Sequence, residues 1–589
     1  MKRRGGMNKN WRIYALKADF NELSRKFGID PVVARVLRNR GLESDQDYEN
    51  FLYGTLDSVH SPEDMLDIEL GADIISEAID EGKSIRVVGD YDVDGVMSTY
   101  ILYDALKKLG AVVSYDIPHR VRDGYGMNER IVDDAHADGV EVIITCDNGI
   151  SAVAAVKKAV EYGMTVVITD HHEIPPELPE ADAIIDPHQP GDGYPYKEIC
   201  GAVVAYKFVQ VLYKLREVEL GRDSYLEAIA TATVCDVMPV LDENRIYVRE
   251  GLRKLEKTEH LGLKALLRAT ELEGKTLSAY HLGFIIGPCI NAMGKLGDAK
   301  DALELMITED EGFAKERAEL LKKTNESRKS ETEDGERKAV EGLPEEPEDK
   351  VLVVYVEGLR EGLAGIVAGR LKEKYYRPTI VFTDTEGNDT LLKGSGRSIE
   401  TYNMFEKINE HRDMCVKFGG HPLAAGLSIK REDLDRFREA LNKDSGLTEV
   451  DMIPKLMIDV PMPMRYATFK MVEQLESLEP YGSGNEEAVF AEKGLAVLGY
   501  DIRGAKKNLL LLKVRSSTGE VFQVKSFRPQ DFLDSINKWF TPEECDKMKK
   551  GVYSGCKLDI AYTLNINDFR GERSVEFRLK DYDLALEGV

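Results

Sequence analysis

Between residues 85 and 190 the chain alternates short, almost wholly apolar runs with amphipathic stretches. The runs are IRVVG (85–89), EVIIT (141–145), MTVVIT (164–169) and AII (183–185). Runs this short, with no polar face, predict strands buried on both sides of a parallel sheet. The stretches 95–109 and 151–161 then read as crossover helices of βαβ units. Residues 1–80 read as helical, punctuated by Pro31 and Ser61-Pro62. Helical spacing returns in 226–234 and 302–321 and lasts to about residue 342.

LPEEPEDK (343–350), with two prolines and a charge run, predicts a linker. A second α/β unit follows, with VLVVYV (351–356) and TIVFT (379–383) as buried strands and 365–374 as the helix between them. From about residue 490, NLLLLKV (508–514), VFQVKSF (521–527) and LDIAYTL (558–564) predict a small β-barrel or sandwich. The fold class is therefore α/β, with a parallel-sheet domain, a smaller α/β domain and a C-terminal all-β barrel.

Composition narrows this further. With 589 residues the chain is too long for one hydrophobic core, and two to four domains are expected. The apolar share of 43% and charged share of 31% fit a globular protein. The longest apolar candidate, 202–213, is too short to span a bilayer and carries Lys207, so no membrane segment is expected. MKRRGG is basic but no apolar region follows, which predicts no secretion signal and leaves Met7 as an alternative start. Seven cysteines lie singly, with no CxxC pair, which argues against structural zinc and disulfides and suits a reducing cytoplasm. A net charge of −26 speaks against a nucleic-acid partner, but bound cations and local patches decide what a cleft attracts.

The four strands of the first sheet each run into acids. The first leads to Asp90, Asp92 and Asp94, the second to Asp147, the third to Asp170, His171 and His172, and the fourth to Asp186 and His188. Ligands of open α/β sheets collect at the carboxyl ends of strands. So many carboxylates and imidazoles at one edge repel each other unless divalent cations sit between them. Mixed Asp and His donors suit Mn²⁺ or Mg²⁺, and two such ions suit phosphodiester hydrolysis. In this reading His171 ligates a metal, His172 faces a phosphate or donates a proton, and Asp236 completes the ligand set. Asp186 and His188 orient His171.

Two glycine-rich segments, GSGRS (394–398) and GGHPLAAG (419–426), read as backbone nests for an anion. Arg397 and His421 add donors, and Arg120 in IPHRVRDGYG is a further phosphate clamp. In the β unit, Arg503, Lys506, Lys507, Lys513, Arg515, Lys525 and Arg528 stand against one acid, Glu520. Tyr500, Phe522 and Phe527 are the stacking surfaces expected beside that basic patch.

Taken in order, these segments resemble the DHH phosphoesterase superfamily and, within it, the RecJ family of single-stranded-DNA exonucleases. The likeness runs from VVARVLRNRGLES (32–44) through GDYDVDG, IPHRVRDGYG, CDNGI, DHHE, IIDPH, ATVCDVMP, INAMGKLGDA (290–299) and AGIVAGRL (364–371). It continues through GSGRS and FGGHPLAAG to LEPYGSGN (478–485). The resemblance implies a DHH catalytic domain and a DHHA1 substrate-binding domain flanking a cleft, followed by an OB barrel. The expected boundaries are 1–325 for N-terminal helices and DHH, 326–350 for a helical connector, 351–450 for DHHA1 and 451–589 for the OB fold.

The resemblance places Asp90, Asp92, Asp94, Asp147, His171 and Asp236 around two metal ions. His172 touches the scissile phosphate, and Asp147 and Asp170 count with it among the catalytic groups. Arg120, Lys295, Ser395 and Arg397 grip the 5′ end, with Gly419, Gly420 and His421 in the DHHA1 signature. The implied activity is 5′→3′ removal of mononucleotides from single-stranded DNA in recombination and repair, by a cytoplasmic monomer served by a helicase and a single-strand-binding protein. A phosphodiesterase of short RNA and a non-catalytic DNA-binding scaffold are the alternatives.

Three departures from the family pattern fall on the substrate side. Lys295 and Cys289 each stand where an Arg is usual, and Leu359-Arg360-Glu361-Gly362 replaces a typical His-Pro-Gly. The extra C-terminal domain of some relatives is expected to be absent.

Overall fold

The structure is a computed structural model that describes residues 9–120, 122–385, 387–569 and 571–585. MKRRGG and Met7 lie outside the described residues. The chain divides into two compact units, Gly54–Leu447 with Gly482–Gly484, and the flanking segments up to Tyr53, Thr448–Tyr481 and from Asn485 onward.

The first unit holds two sheets. In one, five parallel strands run in the order Val112–Asp116, Ser84–Val88, Val142–Cys146, Thr165–Thr169, Ala183–Ile185. The strands are buried on both faces, as their unbroken Val/Ile content requires. Val87, Ile144 and Val167 face one apolar layer, while Val88, Ile143 and Ile168 face the other. The strand Val112–Asp116 was not expected, because Val112 is exposed and the apolar run breaks off at Ser114. Crossover helices Val93–Lys108 and Val153–Glu161 lie where the spacing placed them.

The second sheet is mixed, in the order Cys415–His421, Ala424–Lys430, Asn388–Arg397, Thr379–Thr385, Leu352–Tyr355. Helix Glu361–Tyr375 joins its one parallel pair. Helix Glu311–Glu341 runs unbroken through the boundary expected at residue 325.

The other unit is a closed barrel of Phe490–Arg503, Leu509–Arg515, Val521–Ser526, Glu572–Leu584 and Lys557–Phe569, with the last strand returning to the first. Helices Pro529–Trp539 and Pro542–Lys549 are inserted between strands Val521–Ser526 and Lys557–Phe569. Two expectations are corrected here. Asn10–Ile13 is a strand, not helix, paired in parallel with Lys455–Ile458. The segment up to Tyr53 therefore belongs with the barrel rather than with a 1–325 domain. The buried Arg40 guanidinium grips Asp459 at 2.9 and 3.3 Å, and the Asp30 amide donates to Gln474 at 2.7 Å. Such partners, more than 400 positions apart, leave no local trace in a sequence.

Candidate active site

Single ladder bonds beyond the strand ends bring the acids together. The Asp147 amide donates to Thr169 at 3.1 Å, and the Asp170 amide donates to Ile185 at 3.0 Å. Asp147 then turns into the left-handed region at φ 58°, which aims its carboxylate along the sheet edge. Its Oδ1 lies 3.0 Å from His171 Nε2, which is also 3.5 Å from Asp94 Oδ2 and 3.8 Å from Asp236 Oδ2.

Three donor groups result, each with ligand atoms within 4.8 Å of one another: Asp147, His171 and His172; Asp94, His171 and Asp236; Asp90, Asp92 and Asp147. All six residues expected to hold metal are in these groups. Two amides that the sequence reading missed hold Asp94, those of Gly201 (2.6 Å) and Ala202 (2.8 Å) at the start of helix Gly201–Leu215. The positive end of that helix steadies the carboxylate.

The electrostatics call for cations. Burial and the Asp92 charge push Asp90 up to about 8, and burial with Asp94 and Asp92 pushes Asp236 up to about 8. Asp92 and Asp147 are raised by burial and by their neighbouring carboxylates. Burial keeps His171 below its usual value, hence neutral and able to donate a lone pair. Hard oxygens, neutral imidazole and mutual repulsion fit Mn²⁺ or Mg²⁺.

Asp170 stands apart from this role and ties down His172, the third member of the first group. Asp170 belongs to none of the three groups. Its carboxylate accepts from the Ile150 amide (2.9 Å) and the His171 amide (2.8 Å), and pairs with His172 Nδ1 at 2.7 Å. Burial opposes a charge on His172, but the bond from Asp170 outweighs it and raises the ring to about 9. His172 is thus an imidazolium at neutral pH, suited to face a phosphate. The Tyr125 hydroxyl, also missed, donates to the Asp147 carbonyl at 2.8 Å and lies 3.2 Å from the His172 ring nitrogens. Asp186 Oδ1 accepts from the His188 amide at 2.8 Å and stands 3.5 Å from His188 Nδ1, and the Asp186 charge acts on the His171 ring.

Beside the acids lies a cavity of about 190 Å³ walled by Tyr91, Arg120, Glu361, Gly362, Lys393 and Ser395. Arg120 stacks on the Tyr91 ring at 4.8 Å. Arg397 Nη1 donates to Ser395 Oγ (3.2 Å) and to the Gly396 carbonyl (2.7 Å), and Lys393 meets Glu361 at 2.6 Å. Burial and the nearby Arg120 and Arg328 charges depress Lys295 to about 8, and burial with Arg120 lowers Arg397. Cations that weaken one another in this way form a hole for an anion.

The nest readings are corrected. GSGRS lies in strand Asn388–Arg397 and GGHPLAAG spans a hairpin, so their amides serve the ladder. The glycines have a different cause: side chains at Gly394 and Gly396 would collide with Phe382 and Met404 of the core. On the opposite face, register puts His421, Ala424 and Arg397 in one row and Gly419, Gly426 and Ser395 in the next. Gly420 pairs with Ala425 between them. His421 is therefore about 10 Å from Arg397, two strand spacings away.

One of the three departures lines the cavity, through Glu361 and Gly362. Cys289 is buried and accepts from Asn325 at 3.4 Å, while Arg360 pairs with Glu331 at 3.1 Å. In the barrel unit, Lys525 is tied to Glu576, and Arg503 to Asp501 at 2.7 Å. Phe522 packs on Phe577 and Tyr500 on Phe532, which leaves Phe527 exposed.

Known proteins carry the same architecture. The DHH family, N-terminal domain, matches residues 84–233, the DHHA1 domain matches 348–444 and the RecJ OB domain matches 458–581. The single-stranded-DNA-specific exonuclease RecJ of Bacillus subtilis is 34% identical over 97% of this chain and 70% of its own length. RecJ of Escherichia coli is 31% identical over 93% of this chain and 95% of its own. Crystal structures of Thermus thermophilus RecJ superpose over 98% of this chain. The Mn²⁺ complex does so at 26% identity and TM-score 0.81 (79% of that chain), the Mg²⁺ complex at 25% and 0.76 (78%). Matched over 97% and 93% of its own length by these two curated relatives, the chain belongs to the RecJ family of single-stranded-DNA-specific exonucleases.

Proposed function

We infer that this chain is a metal-dependent 5′→3′ exonuclease that degrades single-stranded DNA to 5′-mononucleotides in recombination and repair. The observation that carries the reading is the pairing, in one compact unit, of three carboxylate-rich donor groups, two of them with imidazoles, with a cation-walled cavity. Asp90, Asp92, Asp94, Asp147, His171 and Asp236 would hold two Mn²⁺ or Mg²⁺ ions, which supply Lewis-acid charge for phosphodiester hydrolysis.

The chain's own groups do the positioning. Arg120, Lys295, Ser395 and Arg397 receive the terminal 5′ phosphate, whose charge relieves the repulsion among the cations. His172, kept charged by Asp170, faces the scissile phosphate and offsets charge that develops on it. The sheet face bearing Gly419 and His421 lies along the strand, and the barrel's Lys506, Lys507, Lys513 and Arg515 track its backbone.

The reading carries a cytoplasmic monomer that receives its strand from a helicase and a single-strand-binding protein, in keeping with seven scattered free cysteines. Among the described residues no helix is long and apolar enough to cross a membrane.

The test is digestion of a 3′-labelled, 5′-phosphorylated single-stranded DNA with Mn²⁺ and then EDTA, beside RNA of the same sequence. Metal-dependent shortening from the 5′ end is expected. Cleavage of short RNA alone would move the assignment to an oligoribonuclease, and inertness on both would indicate a scaffold.

A further inference from the structure

The unit that holds the active site has a second cavity, of about 350 Å³, which shares no residue with the anion cavity. Three tyrosines and a glutamine form much of its wall. Tyr206, Gln210 and Tyr213 follow one another at helical spacing on one face of helix Gly201–Leu215. Tyr247 meets them from helix Asp242–Leu255, its ring edge-on to that of Tyr206 with centroids 6.2 Å apart and planes at 88°. The Tyr213 hydroxyl donates to the Ala105 carbonyl at 3.1 Å, which fixes that ring. Gly201, whose amide holds Asp94, stands nine residues before Gln210, about 14 Å along the helix. The cavity is therefore remote from the carboxylates.

Two polar atoms of this wall are orphans. Tyr247 is 1% exposed, and its hydroxyl has no hydrogen-bond partner among the described residues. The buried Oε1 of Gln210 has none either. Burial holds Tyr247 well above its usual range, so the hydroxyl keeps its proton and can both donate and accept. Buried polar atoms are almost always paired, so two orphans in the wall of one cavity mark the place of a ligand.

The chemistry of the wall selects that ligand. Tyrosine rings suit a flat aromatic body. Gln210 Oε1 only accepts, so the ligand must present a donor there, while the Tyr247 hydroxyl serves a second polar atom of either kind. Flat rings edged with donors and acceptors are nucleobases. The charges at the mouth are already matched, Lys214 with Glu63 at 2.7 Å and Arg222 with Asp57 at 2.5 Å. Recognition therefore falls on the base, with sugar and any phosphate left toward solvent. The volume lies in the range of small-molecule sites. We propose that this cavity binds the base of a free nucleoside or nucleotide, as a site separate from the active site. The proposed exonuclease reaction would release such bases as mononucleotides, but the pocket does not depend on that reaction.

Isothermal titration of the full chain with adenosine in EDTA tests this apart from any cleavage, and a nucleoside brings no phosphate for the anion cavity. Adenosine should bind at one site with a Kd of about 0.1 mM, ordinary for a ligand of its size. Purine riboside, which has the same shape without the amino group, should bind about tenfold more weakly because a buried acceptor stays unpaired. Tyr247→Phe should weaken adenosine about fivefold without lowering the Tm of the free protein, since it removes a hydroxyl that has no partner. Val218→Trp, at a 45% exposed position in the wall, should fill the mouth and abolish binding. No binding of adenosine to the wild type overturns the proposal, as does equal affinity for purine riboside. Binding that survives Val218→Trp places the ligand elsewhere and overturns it too. A Tm lowered by Tyr247→Phe would mean that the hydroxyl serves the fold, with the same consequence.

Discussion

His171 Nε2 stands 3.0 Å from Asp147 Oδ1, and this pair links all three donor groups at the sheet edge. Asp147 is raised well above the usual carboxylate range by burial and by Asp94, Asp92, Asp90 and Asp236, so its charge is unwelcome until a cation arrives. Asp147→Ala should therefore abolish cleavage, by more than about a hundredfold, since even partners behind a metal ligand are worth that much. The fold should persist: relief of repulsion offsets the roughly 1 kcal/mol that an alanine costs in the left-handed region. Asp147→Asn, which tolerates that backbone, controls for the turn. Wild-type turnover in either variant, measured on labelled single-stranded DNA, would sink the metal assignment.

The same repulsion sets how the metal-free protein responds to pH. Asp90 and Asp236 titrate at about 8 in the fold and near 4 when unfolded, so the folded state binds more protons between those values. Their stabilising contribution is complete below about pH 4 and is lost as pH rises through 8. In EDTA, Tm should decline from pH 5 to 8.5. Mn²⁺ takes the place of those protons, so its Tm increment should grow over the same range, with about 2.7 kcal/mol available at a hundredfold excess over Kd. A metal increment independent of pH would mean that these carboxylates are not the ligands.

The basic residues of the barrel make a separate prediction. Lys506, Lys507 and Lys513 have no acid partner among the described residues, unlike Lys525 and Arg503. Neutralising the three should weaken binding to long single strands. It should also reduce the slope of log K against log salt by about 2, at roughly 0.7 for each lost phosphate contact. Fluorescence anisotropy across a salt series measures both quantities. A slope equal to that of the wild type would remove the barrel from the DNA path.

Much of the site was legible because a strand buried on both faces has room for an acid only where it ends. Asp90, Asp147, Asp170 and Asp186 mark four strand ends for that reason, and Asp236 marks a helix end in the same way. Roles were harder to read than places. Asp170 sits in the same motif as His171, yet it holds His172 rather than a metal, a distinction that spacing does not encode. Gly394 and Gly396 suggested a nest, whereas they make room for Phe382 and Met404 on the far side of a strand. Gly201, Tyr125 and Lys393 were missed because each acts through a partner distant in sequence: Asp94, Asp147 and Glu361. The strand Asn10–Ile13 was missed on the same ground, since its neighbour in the sheet is Lys455–Ile458.

Lys295 offers the sharpest chemical test of the anion cavity. Burial and two neighbouring guanidinium groups bring its ammonium down to about 8, so part of its charge is lost just above physiological pH. A bound 5′ phosphate favours the charged form, and above pH 8 binding must take up a proton. The preference for a 5′-phosphoryl over a 5′-hydroxyl strand should therefore narrow by about tenfold between pH 8 and 9. Lys295→Arg removes the titration, because a guanidinium stays charged throughout and adds a paired donor geometry. In that variant the preference should hold level across the range and exceed that of the parent at pH 9. If instead the parent keeps its preference unchanged to pH 9, Lys295 does not touch the phosphate, and Arg120 with Arg397 holds the 5′ end alone.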